Sequence, residues 1–328
     1  MELAATLEPL KPTEQLVPLN TPIKTRKKRA PKHDFKDGKG RVFAHKHDNG
    51  KGWVANTATV EDHVYVAPRA EVYDYATIRG SCRIEKAAKV YGHANVSGAV
   101  IITNSARVSG QAVVQDSTKI YNAAVVSGRA FVGGDSQIWG LCDINGNVYI
   151  LSSCLFGQVT ASGHTTIVRS NLNGPITVIG SASLTHATVA GRVWFGNFAQ
   201  VAHSTIDNSS NQGVTTVRDF AVVLDNSRIR VPIEIKDHAV IVRSTLSNFR
   251  PRTEQAPLVI DQNLILSQWD CHALENFETL LNAARLPRNQ PIAAPVISRP
   301  GAVSITTPRM PIGDESSRRV MRLQGVTS

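Results

Sequence analysis

The 328 residues are 42% apolar but only 6% aromatic, so a sizeable core can form from Val, Ile, Leu and Ala rather than from bulky rings. The net charge of +10 is concentrated at the start: residues 1–52 carry twelve Lys/Arg against six Asp/Glu, whereas residues 53–248 carry fifteen against thirteen. A nucleic-acid groove needs basic residues on the folded part and is therefore disfavoured, and no stretch approaches the roughly 18 uninterrupted apolar residues that suggest a membrane-spanning helix.

Residues 1–32 read as a disordered arm. Proline stands at positions 9, 12, 18, 22 and 31, and the arm lacks the apolar core of a secretory signal. Lys24, Arg26, Lys27, Lys28 and Arg29 form a basic run. Such a run serves as a solvated tail, as an anion-binding patch or as a nuclear-import signal. Residues 33–57 form a lead-in to the periodic region. Phe43 and Trp53 are the rings expected to cover the open first layer, because a bare strand edge invites aggregation.

From Val60 the chain is periodic. A β-branched residue recurs every sixth position, from Val60, Val66, Val72 and Ile78 to Ile150, sixteen times in succession. Two places before each stands a small residue, as in Ala70, Ala76, Cys82, Ala94 and Ala112, with Val64, Val100 and Val148 the largest. Residues two apart share one face of a strand, so each hexad turns one small and one branched side chain inward. Two places after each branched residue, Gly fills eight of the sixteen sites and Asp or Asn five more. These residues accept the positive φ that a sharp corner needs. A helix is excluded, because a period of six does not match 3.6 and Gly recurs too often. A meander is excluded too, because a hexad cannot hold a strand, a turn and a return strand. The unit is one short strand plus one corner, repeated as a solenoid.

This pattern resembles the bacterial transferase hexapeptide-repeat family. The resemblance implies an all-β fold, a left-handed parallel β-helix with three hexads per coil. The handedness comes from the family and runs against the usual right-handed crossover. Sixteen hexads then make about five coils rising about 25 Å. The lead-in, with Gly52, Trp53 and Val54 opening directly into hexads, resembles that of hexapeptide-repeat proteins of bacteriophages.

Beyond Ile150 the period slips but persists in pairs such as Thr165/Ile167, Ala182/Leu184, Ala199/Val201, Ala221/Val223 and Ala239/Ile241. Some spacings are five, and residues 151–164 and 207–216 look like loops. The β-helix is expected over 58–248 and a C-terminal cap over 249–286. Within that cap, Leu274, Phe277, Leu280, Leu281 and Ala284 sit at helical spacing in a helix over 272–286 that Pro287 stops. This helix covers the last coil or binds a partner. Residues 287–328 read as a flexible tail. Cys82, Cys142, Cys154 and Cys271 form no CxxC pair, so no zinc-ribbon spacing exists; free thiols in a reducing cytoplasm are expected.

The family resemblance implies acyl transfer from coenzyme A at clefts between the subunits of a homotrimer, with a histidine as general base. His93, in Val-Tyr-Gly-His-Ala-Asn, is one candidate base, with Tyr75 and Gln111 one coil away. The repeat places no carboxylate beside it. His186 and His203 each follow an aliphatic residue by two places and stack in adjacent coils if one hexad is a residue short. Such a pair serves as a base, shares a metal or an anion, or forms a ladder without function. The zinc carbonic anhydrase branch of the family spaces its last two histidines four apart, and that pair is absent, so no metal site is assigned. No phosphate-binding loop, GxSxG or dinucleotide fingerprint occurs.

Outward residues also follow the period. Val113, Phe131 and Tyr149 stack on one face, Tyr121 and Trp139 on another, and Tyr73 and Tyr91 likewise. The first ladder is a candidate trimer seam, since an exposed apolar stripe marks an interface; cross-strand stacking within one chain is the alternative. Three functions follow. The leading one is a non-catalytic structural scaffold without cofactor, phage-associated in the host cytoplasm or the virion. The second is a coenzyme A-dependent acyltransferase. The third is a module that captures a host protein or polyanion with its tails.

Overall fold

A computed structural model of the chain describes residues 31–208, 213–247, 258–261 and 264–285. The basic run at Lys24–Arg29 and the tail from residue 287 lie outside them. The hexads fold as short strands joined by corners. Thr77–Ile78 pairs with Asn95–Val96, which pairs with Val113–Val114, always in parallel and always with the strand three hexads on. Three sheets result, each with twelve parallel rungs. The first sheet runs from Trp53–Ala55 to Leu258–Ile260, the second from Thr59–Val60 to Ile265–Ser267, and the third from Tyr65–Val66 to Asp270–Cys271. The fold is a left-handed parallel β-helix, standing about 50 Å tall at the usual strand spacing.

Register fixes what the core contains. Ile78, Val96, Val114, Val132, Ile150, Ile167, Leu184, Val201, Val223, Ile241 and Leu266 form one continuous, fully buried column. Ala76, Ala94, Ala112, Ala130, Ala182, Ala199, Ala221 and Ala239 are buried beside it. A small residue next to a branched one fills the narrow interior without voids.

At the corners, backbone approaches backbone. A Cβ on Gly98, whose φ is +96°, would stand 2.7 Å from the carbonyl oxygen of Asp116 one coil below. Asp116 itself takes the left-handed conformation at φ 63°. There its Oδ2 accepts a hydrogen bond of 2.7 Å from the backbone N–H of Gly134 in the next coil.

The slip after Ile150 has a local cause. Phe131 pairs with Tyr149, three full hexads on, but Gln137 pairs with Cys154, one position short of that spacing. The missing position is at the corner between the second and third sheets, where Ser152 leads straight into buried Ser153. Ser153 Oγ donates to Leu151 O at 2.8 Å and accepts from Ser170 N at 3.1 Å, and Ser170 Oγ accepts from Ala187 N in the same way. A buried hydroxyl column thus satisfies the backbone that the tighter corner exposes. The shortened coil then repeats down to Gln200.

The expected loop at 151–164 is therefore corrected: that stretch holds the strands Cys154–Gly157 and Val159–Gly163. Of 207–216, residues 209–212 lie outside the described set, and Thr215 already belongs to a strand that pairs with Val193–Phe195. The stack also outruns its expected limits. It starts at Trp53 and continues past residue 248 to Cys271. The helix occupies Leu274–Arg285. Its Phe277 and Leu281 are buried in the core of the prism.

At the other end, Lys32–Asp34 and Arg41–Lys46 form an antiparallel hairpin that continues the first sheet beyond Trp53. The segment 47–52 crosses the edge of the third sheet. Gly52 N donates to Val66 O, Val66 N donates to Asn49 O, and buried His47 Nε2 donates to Val64 O at 2.9 Å. Phe43 does not cover the first coil, being 53% exposed beneath Lys32. Fully buried Phe35 fills that role, stacked on Tyr73 at 4.7 Å.

Two measurements test this architecture. Val126→Asp should destabilise the fold by at least about 3 kcal/mol, combining lost burial with a buried carboxylate, as read by chemical denaturation. Burial pushes the thiols of Cys142 and Cys271 up to about 11, and that of Cys82 upward. These three sites hold their protons more tightly when folded, so they contribute stability below pH 9 that is lost as the pH rises towards 11. At about pH 8 a thiol reagent should label half-buried Cys154 in the native protein, with Cys82, Cys142 and Cys271 reacting only on unfolding.

Candidate functional site

The residues with chemistry to offer lie on the corners and on the outer faces, because the interior is filled. His93 sits exposed on the corner between the first and second sheets. Its ring stacks on Tyr75 at 5.1 Å and 9°. No side-chain hydrogen bond or ion pair orients the imidazole among the described residues, so nothing there prepares it as a general base. The same corner carries Arg129, whose Nε donates to Gln111 Oε1, and Asn147, whose amide donates to His164 Nε2 at 3.0 Å. Further down, Phe198, Phe220 and His238 stack at 5.0 Å intervals. A count by sixes misses this lower part of the ladder, since the coils between do not all hold three full hexads.

His186 and His203 do come together. They occupy successive tight corners between the second and third sheets, both exposed, with rings 4.7 Å apart and 10° from parallel. The shortened coil puts them in register. Both backbones are left-handed, at φ 50° and 49°. Thr188, Thr205, Asn226 and Arg228 line a shallow groove beside the two rings. Among the described residues, no group of three or more His, Cys, Asp or Glu is placed to hold a metal.

Tyr73 and Tyr91 stack at 4.9 Å, but Tyr73 is buried under Phe35, so this pair belongs to the end cap and not to an outer face. Burial and the neighbouring Tyr91 push the Tyr73 phenol well above its ordinary range. Val113, Phe131 and Tyr149 pair in register on the second sheet, with Phe131 stacked on Tyr149 at 4.9 Å. Tyr121 and Trp139 meet at 5.7 Å on the third sheet. Phe156 extends that ladder edge-on at 5.5 Å, and a strict count by hexads misses it. Trp139 and Phe156 are 47% and 44% exposed.

The second sheet differs from the others in charge. None of its twelve strands contains Asp, Glu, Lys or Arg, and of the residues that continue these strands in the outward column of Leu151 only Glu61 and Arg79, at the first two rungs, are charged. The rungs of the first sheet carry Glu71, Lys89, Arg107, Asp143 and Glu234, and those of the third carry Arg83, Lys119, Asp207, Arg228 and Asp270. Outward on the second sheet stand Val113, Phe131, Tyr149, Leu151, Val168, Val222, Leu224, Val240, Val242 and Ile265, all at least partly accessible. Overall charge counts could not reveal this, because the absence of charge is confined to one third of each coil.

No helix among the described residues is long and apolar enough to cross a membrane. No protein-family model matches the sequence, and no curated protein matches it. Among solved structures, the chain is similar to a UDP-N-acetylglucosamine acyltransferase from Campylobacter jejuni. The identity is 16%, over 55% of this chain and 69% of that one, with a TM-score of 0.26. It is also similar to UDP-N-acetylglucosamine O-acyltransferase from Moraxella catarrhalis RH4, at 13% identity over 59% and 66% of the two chains, with a TM-score of 0.19. Likeness at this level bears on no residue of a site.

Proposed function

We propose that this chain is a non-catalytic structural protein whose prism associates through its second sheet into a homotrimer. The scarcity of charge on this face, where Glu61 and Arg79 at the first two rungs are the only charged outward residues, carries this reading. Interface cores are depleted of charged residues, and a large apolar stripe on a soluble surface marks a contact. The twelve uncharged strands with the Phe131–Tyr149 stack meet both descriptions. The smooth prism offers rigid length rather than an enclosed reaction chamber, which suits the scaffold role that the phage-like lead-in implies.

Light scattering on the purified chain should give three times the mass of one copy. Phe131→Glu together with Tyr149→Glu should give monomers with an unchanged far-ultraviolet circular dichroism spectrum. A monomeric parent chain would refute association.

A second reading, acyl transfer from coenzyme A at a cleft between copies, is favoured by one observation. His186 and His203 directly follow the strands Ser183–Thr185 and Gln200–Ala202 of the same face, which puts two imidazoles at the rim of the seam. Titration calorimetry with coenzyme A and acetyl-coenzyme A separates the readings. The scaffold predicts no more heat at millimolar ligand than a plain phosphomonoester gives at the same concentration, since coenzyme A itself carries a phosphomonoester. Binding in excess of that by a trimer, weakened by His93→Ala or His203→Ala and accompanied by release of the free coenzyme A thiol from acetyl-coenzyme A, would establish the transferase.

A further inference from the structure

The corner between the second and third sheets carries side chains that lateral association does not require. Six of its tight turns place a residue with a side chain in the left-handed region: Ser152, Arg169, His186, His203 and Arg243, at φ between 48° and 50°, and Gln268 at 60°. Earlier in the same corner column, Gly80, Gly98 and Gly134 occupy left-handed positions, and Asp116, the one residue with a side chain among them, uses it to accept from the backbone N–H of Gly134. Glycine adopts this conformation freely, whereas a residue with a Cβ is held there against steric strain. The fold itself would be served better by glycine, so the identity of these side chains calls for another explanation.

Two of these residues, Arg169 and Arg243, are cations, and two more, His186 and His203, carry imidazoles. Arg169, His186 and His203 follow one another at successive rungs, since Val168, Thr185 and Ala202 pair in register just before them. Arg228 lies on the next rung of the third sheet, paired with Thr205. Neither Arg169 nor Arg228 makes an ion pair among the described residues. Of the nearby carboxylates, Asp225 faces Arg243 at 3.8 Å, and Asp207 lies at the opposite edge of the third sheet, where it lines a different depression. Two imidazoles stacked at 4.7 Å repel each other when both are protonated. An anion placed against both rings turns that repulsion into attraction.

We propose that the groove at His186, His203 and Arg228 binds a phosphate-class dianion, either free phosphate or a phosphomonoester. The Arg228 guanidinium and the ring N–H groups donate to its oxygens, and Thr188, Thr205 and Asn226 line the groove as further hydrogen-bonding groups. Arg169 adds a cation one rung before His186. The site does not depend on the association reading, and it requires no catalysis.

The test titrates inorganic phosphate, phosphoethanolamine and chloride into the full chain by calorimetry. The same titrations are repeated on the Phe131→Glu, Tyr149→Glu chain, so that failure of association cannot masquerade as failure of the site. Phosphate or phosphoethanolamine should bind and chloride should not; the tighter of the two identifies the free or the esterified source. His186→Gly with His203→Gly should weaken binding about tenfold or more. Its thermal midpoint should hold or rise, because glycine suits both turns. Arg228→Gln should weaken binding comparably. Absent binding to the parent chain, equal binding of chloride, or undiminished binding by the glycine variant would each overturn the proposal.

Discussion

Everything in this molecule depends on backbone pairing between one coil and the next. Ile78 pairs in register with Val96, Val96 with Val114, and so on down the prism. A side chain therefore meets chiefly its own column. The core needs no complementary shapes from distant parts of the chain; it needs each column to hold one kind of residue. That is why a sequence with 6% aromatic residues can bury so much, and why the corners matter as much as the strands.

The same rule organises the outside. Stacked corner rings and outward ladders arise because like follows like one coil later. Such stacking is a property of the solenoid before it is a sign of function. Function has to be sought where the columns depart from what the fold needs. Two departures stand out: a face whose strands carry no charge, and histidines and arginines held in turns that glycine would occupy with less strain.

The upper prism is legible in the sequence because its sixteen branched residues recur without a slip, and every one from Val66 onward is buried. The lower prism is hidden because a single position disappears at one corner of each coil down to Gln200, and the coils below it vary in length. The strands survive that loss, but a count by sixes loses phase, and so 151–164 reads as a loop. The stacking of His186 on His203 is readable from the one-position deficit alone. The choice of Phe43 over Phe35 as the end cover goes wrong for a different reason. Both are aromatic residues in a short lead-in, and only the hairpin geometry, with Phe35 following Lys32–Asp34, decides which ring turns over Tyr73.

The interchangeable coil has a consequence for how such a molecule changes over generations. Each coil is one contiguous stretch of chain that contributes one rung to every face. Duplicating or deleting a whole coil would lengthen or shorten the prism while leaving the remaining columns, corners and end covers as they were. Length is then a heritable dimension adjustable in steps of roughly one strand spacing, and the chain acts as a ruler whose graduations are written in its own sequence.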